Sequence, residues 1–423
     1  MQQARAPPLH PRKRLYNLLE EIADSTIQRV EIRYQGLDDD EALELAAALV
    51  QNESLLELDL TSSTISTTGM TQIVKSLPSC LQNVSLSSNP ISPTAASALL
   101  FVLSSNLLEL HLHDCHLKCE GLAALMMTSA FHTNNTTTGS SSSSSSLKVL
   151  TLSKNQLSSC PSFSALQNLE RLDLSCNRLT SLQELQLHKL PSLQRLHLWN
   201  NRLGPTCGTA LGEILLHCRS SSLQELNLRN NELENVGIIQ AFSLLEDECN
   251  LETLFLSSNL LSDPAVQHIA SSSLMMTSSS SIIKFPHLKS LYLTYNNIGD
   301  DGAVALAHAL SNFPNLKTLD LYRNNIGNKG GLALATAVLT NAENVHLTEL
   351  NLNCNSIMGD RSILRTVRFC GKINRAGRYL LLQHENTIPE ALWPHVLEKM
   401  QQLEVLYYFV HHLPELFLMR RVV

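Results

Sequence analysis

The chain is poor in most of the features that mark an enzyme, a membrane protein or a secreted scaffold. Among 423 residues there are two Trp and ten Phe, and aromatics make up 5%. Charged residues are only 16% of the chain and the net charge is −7, which gives no general affinity for nucleic acid. No uninterrupted apolar run reaches the ~20 residues of a membrane-spanning helix. Residues 1–14 are polar, basic and proline-containing, unlike a secretory leader. Ten cysteines are scattered without the pairing of a disulfide framework, so a reducing compartment is expected, cytoplasmic with the nucleus as alternative. There is no G-x-x-x-x-G-K-S/T, no G-x-G-x-x-G and no G-x-S-x-G, so neither a phosphate-cradling loop nor a nucleophile elbow is encoded.

What the chain does have is one ladder repeated twelve times. Each copy fits L-x-x-L-x-L-x-x-N-x-L, with Ile or Val allowed for Leu. Leu288/Leu291/Leu293/Asn296/Ile298 and Leu316/Leu319/Leu321/Asn324/Ile326 are the clearest. The copies start at Ile27, Leu55, Leu81, Leu107, Leu147, Leu169, Leu193, Leu223, Leu251, Leu288, Leu316 and Leu347. Such a unit cannot bury its own apolar side, so the copies must stack. The expected fold class is α/β, a leucine-rich-repeat solenoid (horseshoe) with a parallel concave β-sheet and convex helices. Within L-x-L the alternation has period two, so the leucines point inward and the x side chains point to the concave face. The Asn closes the turn after the strand by bonding backbone groups that the strand leaves unsatisfied. Cys115, Ser63 and Gln35 replace it in three copies.

The second half of each long copy reads as a helix, for example 302–310 and 331–339, with Asp300 and Asp301 where an N-cap is useful. The copies starting at Leu147 and Leu169 are too short for a helix and are expected to use irregular or one-turn connections. Two spacings are long, and each contains a serine-rich run, 133–146 and 271–281, both read as disordered loops between intact copies. The expected organisation is residues 1–26 as tail and capping helix, 27–357 as solenoid, and 358–423 as C-terminal cap. Leu15, Leu18, Leu19 and Ile22 have the helical spacing of the N-terminal cap. In the C-terminal part, Arg361, Arg365, Arg368, Lys372, Arg375 and Arg378 form a basic stretch without an acid. It reads as a closing strand or a helix. Its role is a cap over the last apolar face or a docking site for an acidic partner or membrane headgroups.

The long copies, NNIGDDGAVALAHALSNFPNLKTLDLYRNNIGNKGGLALATAVL in particular, resemble the ribonuclease-inhibitor-like subfamily of leucine-rich repeats over roughly residues 27–357. The resemblance implies a non-enzymatic scaffold that binds a protein on its concave face. The same subfamily includes Ran-type GTPase-activating proteins and the ligand-sensing arms of NOD-like receptors, which stand as the alternative functions. The Ran-type family carries an acidic segment after its repeats, where this chain is basic.

Projecting the ladder onto the concave face places His197 and Trp199, then Arg229, then Phe255, then Tyr292 and Tyr295, then Tyr322 and Arg323 on consecutive copies. For a chain with so few aromatics this clustering marks a partner-binding surface, since aromatic and Arg side chains dominate interface energetics. The competing explanation is that the rings only stack on one another to stabilise the sheet. His111, His113, Asp114, Cys115, His116 and Cys119 resemble a metal cluster in the text, but their register points them apart, so no metal is expected. No cofactor, no nucleic acid and no catalytic residue is expected, and the chain is read as a monomer.

Overall fold

A computed structural model describes residues 11–103, 106–126, 145–216, 222–245, 248–276, 281–340, 346–357 and 363. The chain divides into two compact units, Met1–Arg202 and Leu203–Val423.

The first unit carries seven three-residue strands: β1 (Arg29–Glu31), β2 (Glu57–Asp59), β3 (Asn83–Ser85), β4 (Glu109–His111), β5 (Val149–Thr151), β6 (Arg171–Asp173) and β7 (Arg195–His197). Each pairs with the next in parallel and in register, so Val30, Leu58, Val84, Leu110, Leu150, Leu172 and Leu196 form one buried row. The strands are short because only the L-x-L part of each copy has period-two alternation. Helix α1 (Pro11–Ala23) buries Leu15, Leu19 and Ile22 at the N-terminal end. Helices α2 (Asp39–Val50), α3 (Thr67–Lys75), α4 (Pro93–Leu103) and α5 (Lys118–Met126) follow the first four strands. α2 starts at a capping box: Glu41 N–H donates to Asp38 Oδ1 at 2.8 Å and Asp38 N–H to Glu41 Oε2 at 3.1 Å. After β5 the described chain forms no helix before β6, and after β6 only the one-turn pieces Gln183–Leu185 and Leu187–Lys189. The short copies leave no room for more.

The second unit contains α6 (Gly208–Leu216), β8 (Glu225–Asn227), α7 (Glu234–Ser243), β9 (Thr253–Phe255), α8 (Asp263–Ser272), β10 (Leu274–Met276), β11 (Ser281–Ile283), β12 (Ser290–Tyr292), α9 (Asp300–Ala309), β13 (Thr318–Asp320), α10 (Asn328–Thr340) and β14 (Glu349–Asn351). β8, β9, β12, β13 and β14 pair in parallel in that order. Phe242, Phe285 and Phe313 line up inside, with ring centroids 5.7 Å and 6.2 Å apart.

Three expectations need correction or limitation. The described residues of 271–281 are not a structureless loop: Ser271 and Ser272 finish α8, and β10 pairs antiparallel with β11. The pair is tied down where Lys284 N–H donates to Ser273 O at 2.9 Å, and Cys249 N–H to Lys284 O at 2.7 Å. Asp300 and Asp301 do not cap their own helix. Gly299 is the N-cap, and Asp300 Oδ1 instead accepts from Gly327 N–H (2.8 Å) and Gly330 N–H (2.7 Å), capping the helix of the next copy. Asp263 does the same for Gly299 at 2.6 Å. This explains the glycine at 330, where a Cβ would lie 2.8 Å from Asp300 Oδ1. Residues 133–144 and nearly all of the proposed C-terminal cap lie outside the described residues.

The asparagines do what the ladder requires, between copies as well as within them. Asn296 Nδ2 donates to Leu293 O of its own copy (3.0 Å) and Leu256 O of the preceding one (3.1 Å). Its Oδ1 accepts from Asn259 and Leu261 N–H, each at 3.0 Å. Cys115 takes the same place with its thiol on Leu86 O.

Candidate functional site

In all twelve copies the residue before the Asn position has a left-handed backbone, with φ between 53° and 59°. That turn throws its side chain off the sheet and onto the open face. The fold therefore presents four side chains per copy there: the first and third residues of the strand, and two from the turn.

In the second unit these positions bring aromatics together. Register places Phe255, Tyr292, Asp320 and Asn351 side by side across β9, β12, β13 and β14. The Phe255 and Tyr292 rings stack with centroids 4.6 Å apart and planes 6° from parallel. On the turn positions, Tyr295 and Tyr322 meet edge to face at 5.6 Å. The Arg323 guanidinium lies 5.2 Å from the Tyr295 ring and 6.0 Å from the Tyr322 ring, within cation–π reach of both. Proximity to those tyrosines raises the Arg323 pKa. The exposed Cys354 thiol hydrogen-bonds the Tyr322 hydroxyl and raises its pKa. Burial, with Glu349 nearby, holds Asp320 above the usual carboxylate value, although Tyr322 N–H donates to its Oδ1 at 3.0 Å. Tyr295 is 45% exposed. The arrangement is one stacked ring pair and, on the turn positions, two tyrosine rings flanking one guanidinium.

Of the eight residues predicted from sequence, five thus fall into two clusters, Phe255 with Tyr292, and Tyr295 and Tyr322 with Arg323. Arg229 lies on the same open face at the β8 turn, exposed, with its N–H on Asn227 Oδ1 at 3.1 Å. His197 and Trp199 belong to the first unit, where Trp199 is 37% exposed.

The first unit's open face is mostly charged, although Tyr34, 78% exposed at its own left-handed turn, and Trp199 also stand on it. A shallow depression is lined by Arg29, Arg33, Glu57, Asp59 and His111. Its charges are already matched: Arg33 Nε donates to Asp59 Oδ2 at 2.7 Å, and Arg29 Nε lies 3.2 Å from Glu57 Oε2. Burial pushes Asp59 up, but hydrogen bonds from Thr61 and Arg33 outweigh it and leave its pKa lowered. The His/Cys run is spread over separate partners. His111 Nδ1 lies 3.2 Å from Thr151 Oγ1, His113 Nδ1 2.7 Å from Ser153 Oγ, and Cys119 Sγ 3.3 Å from Ser158 Oγ. Among the described residues no three His, Cys, Asp or Glu side chains gather as metal ligands, and no helix is long and apolar enough to cross a membrane. The ladder projection passes over Arg171 and Arg195, which sit in register on β6 and β7.

Comparison with known proteins agrees with this architecture. A two-copy leucine-rich-repeat family model matches residues 145–187 and 167–208. A single-repeat model matches 51–74, 219–239, 286–307, 314–335 and 343–363. Pig ribonuclease inhibitor is 26% identical, with 87% of this chain and 91% of that protein covered. Mouse NACHT, LRR and PYD domains-containing protein 12 is 28% identical over 68% of this chain, which spans only 27% of that relative's length. Among solved structures, an internalin from Listeria monocytogenes superposes with a TM-score of 0.53 at 17% identity, covering 83% of this chain and 87% of its own, a likeness of fold. The repeats and their stacking define a leucine-rich-repeat protein. Within that class the chain is similar to the ribonuclease-inhibitor type, the pig protein being alike over nearly its whole length.

Proposed function

We propose that this protein is a non-enzymatic binding scaffold. A protein partner would dock on the open sheet face of its second unit, anchored by Phe255, Tyr292, Tyr295, Tyr322 and Arg323. The observation that carries the reading is the placement of the chain's scarce aromatics. One set, Phe242, Phe285 and Phe313, fills the core, while the other sits on the open face with Tyr295 45% exposed around an arginine. Rings needed only for stability would serve better inside. Tyr295 and Arg323 also occupy left-handed backbone positions, where a large side chain costs of the order of 1 kcal/mol that Asn or Gly would not. Keeping bulky groups there against local preference is the signature of a site.

The relatives support a binding role: a ribonuclease inhibitor is, by its name, a protein that acts on another protein. The described cysteines are all unpaired, in keeping with a reducing, cytoplasmic setting. A second reading, the ligand-sensing arm of a NOD-like receptor system, is favoured by the match to the NACHT, LRR and PYD domains-containing relative.

The test is affinity capture with the intact chain, then titration of the captured partner against a Tyr292→Ala/Tyr295→Ala/Tyr322→Ala variant. Weakening by roughly 1–4 kcal/mol per anchor with little change in melting temperature supports the reading. Unchanged affinity with a lowered melting temperature would show that the rings serve only the sheet.

A further inference from the structure

We propose that the turn edge of the second unit's open face receives a carboxylate side chain of its protein partner, with Arg323 as the residue that recognises it. The inference rests on the reading of this face as a binding surface and deepens it. The rings supply contact area, and Arg323 supplies the selection for an acidic residue.

Arg323 is exposed, and no carboxylate among the described residues lies within ion-pair distance of it. Other cations of the protein are held by acids: Arg33 by Asp59, Arg29 by Glu57, Lys148 by Glu170, Lys289 by Glu252 and Lys329 by Asp301. What holds Arg323 is two rings, Tyr295 at 5.2 Å and Tyr322 at 6.0 Å, together with the Cys354 thiol. A ring face attracts the charge of a guanidinium but offers no lone pair to its five N–H donors, and a thiol is a weak acceptor. The side chain is thus positioned without being neutralised. A carboxylate arriving from solvent can take two parallel N–H···O bonds from such a fork. Because the rings already hold the cation, binding has less side-chain freedom left to remove.

The charges of this face are sorted by row, and the sorting indicates the occupant. The turn positions that follow β8, β9, β12, β13 and β14 carry two cations, Arg229 and Arg323, and no acid. Arg229 is likewise exposed with no carboxylate among the described residues in reach. The acids of the same face, Glu225, Asp320 and Glu349, all stand on strand positions. Asp320 is engaged within its own copy, its Oδ1 accepting from Tyr322 N–H at 3.0 Å. A chain that carries −7 in total therefore keeps the turn edge of this face free of negative charge. The two rows are two residues apart along the strand, about 7 Å, which is inside the screening length of roughly 8 Å at physiological ionic strength. A polyphosphate laid across the face would meet the strand-row acids within that distance and be repelled. A basic segment would be repelled at the turn edge, where the tyrosines are. A single carboxylate at the turn edge meets neither penalty. The complementary partner is a protein segment that presents Asp or Glu beside an aromatic residue able to pack on the rings.

The experiment uses the full chain and fluorescein-labelled peptides that alternate Trp with Glu, with Gln or with Lys, read by fluorescence anisotropy. The three share their rings and differ only in charge. The Glu peptide should bind about tenfold more tightly than the Gln peptide, and the Lys peptide no better than the Gln peptide. Arg323→Gln should remove that preference while leaving binding of the Gln peptide unchanged. Arg323→Lys, which keeps the charge and loses the planar fork, should retain only part of it. Arg33→Gln, which removes a cation already matched on the first unit, should change neither. Melting curves of the variants, expected to follow the wild type because Arg323 is exposed, exclude loss of fold as the cause. Tyr292→Ala should instead weaken the Glu and Gln peptides by the same factor and keep the preference, so the contact role of the rings and the selecting role of Arg323 fail separately. No binding of the Glu peptide, equal binding of the Glu and Gln peptides, or a preference that survives Arg323→Gln would overturn the proposal. So would Arg323-dependent binding of a labelled single-stranded oligonucleotide tighter than that of the Glu peptide, which would reassign the edge to phosphate.

Discussion

Asn296 and Tyr295 are neighbours in the chain with opposite duties, and exchanging each for alanine separates fold from site. Asn296 is 6% exposed. Its Oδ1 is the acceptor for the N–H groups of Asn259 and Leu261, and its Nδ2 supplies a donor to Leu256 O and Leu293 O. Asn296→Ala would strand two buried N–H groups at about 1–3 kcal/mol each, while the carbonyls keep a second lone pair for other donors. The expected loss is about 3 kcal/mol. Tyr295 is 45% exposed and contributes one edge-to-face contact, worth ~0.5–1.5 kcal/mol. Tyr295→Ala, which also gives up the exposed Arg323 contact, should therefore cost about 1–1.5 kcal/mol, well short of Asn296→Ala. Stacked repeats need not unfold in one step, so hydrogen exchange at single amides is the more direct assay beside urea denaturation. In Asn296→Ala the amides of Asn259 and Leu261 should exchange faster, while those of the first unit stay protected. A loss below about 1 kcal/mol for Asn296→Ala, or an equal loss for both variants, would refute the reasoning about the Asn ladder.

Two further outcomes follow from local chemistry. Burial pushes the Cys119 thiol up, but hydrogen bonds from Ser158 and Ser159 outweigh it and bring it down to about 7, whereas burial drives Cys115, Cys160 and Cys207 to about 12. Iodoacetamide labelling read by mass spectrometry at pH 7 should modify Cys119 ahead of these three and of Cys80, with Ser158→Ala slowing it; equal rates would contradict the assignment. Asp320 has its pKa raised, chiefly by burial, so its ionisation opposes folding. That opposition is absent below the unfolded value of about 4 and complete above the folded one. Asp320→Asn should therefore stabilise the protein at neutral pH and lose that advantage in acid, which melting curves at the two pH values would show.

The leucine ladder was legible because period two and the Asn position leave few alternatives; the buried middle residue of every described ladder strand in the first unit is the one the pattern points inward. The stacked pair Phe255–Tyr292 was legible for the same reason, since register alone makes them neighbours. The strand pair at Leu274–Met276 and Ser281–Ile283 was hidden by the serines around it. Its signal was two short apolar runs ahead of a core phenylalanine, Phe285. The role of Asp300 could not be read because the N–H groups it accepts from lie in the next copy, 27 and 30 residues away. His197 and Trp199 fell together with the second unit's aromatics because linear projection carries no boundary between compact units.

The central claim is that partners engage the open sheet face of the second unit rather than its helices. A photo-crosslinking residue, benzoylphenylalanine, placed in turn at Tyr295 and at Leu332, a 58% exposed position on α10, tests it whatever the partner is. The account predicts a covalent adduct from position 295, lost when Tyr292 and Tyr322 are alanine, and none from 332. An adduct from 332 with none from 295 would contradict it.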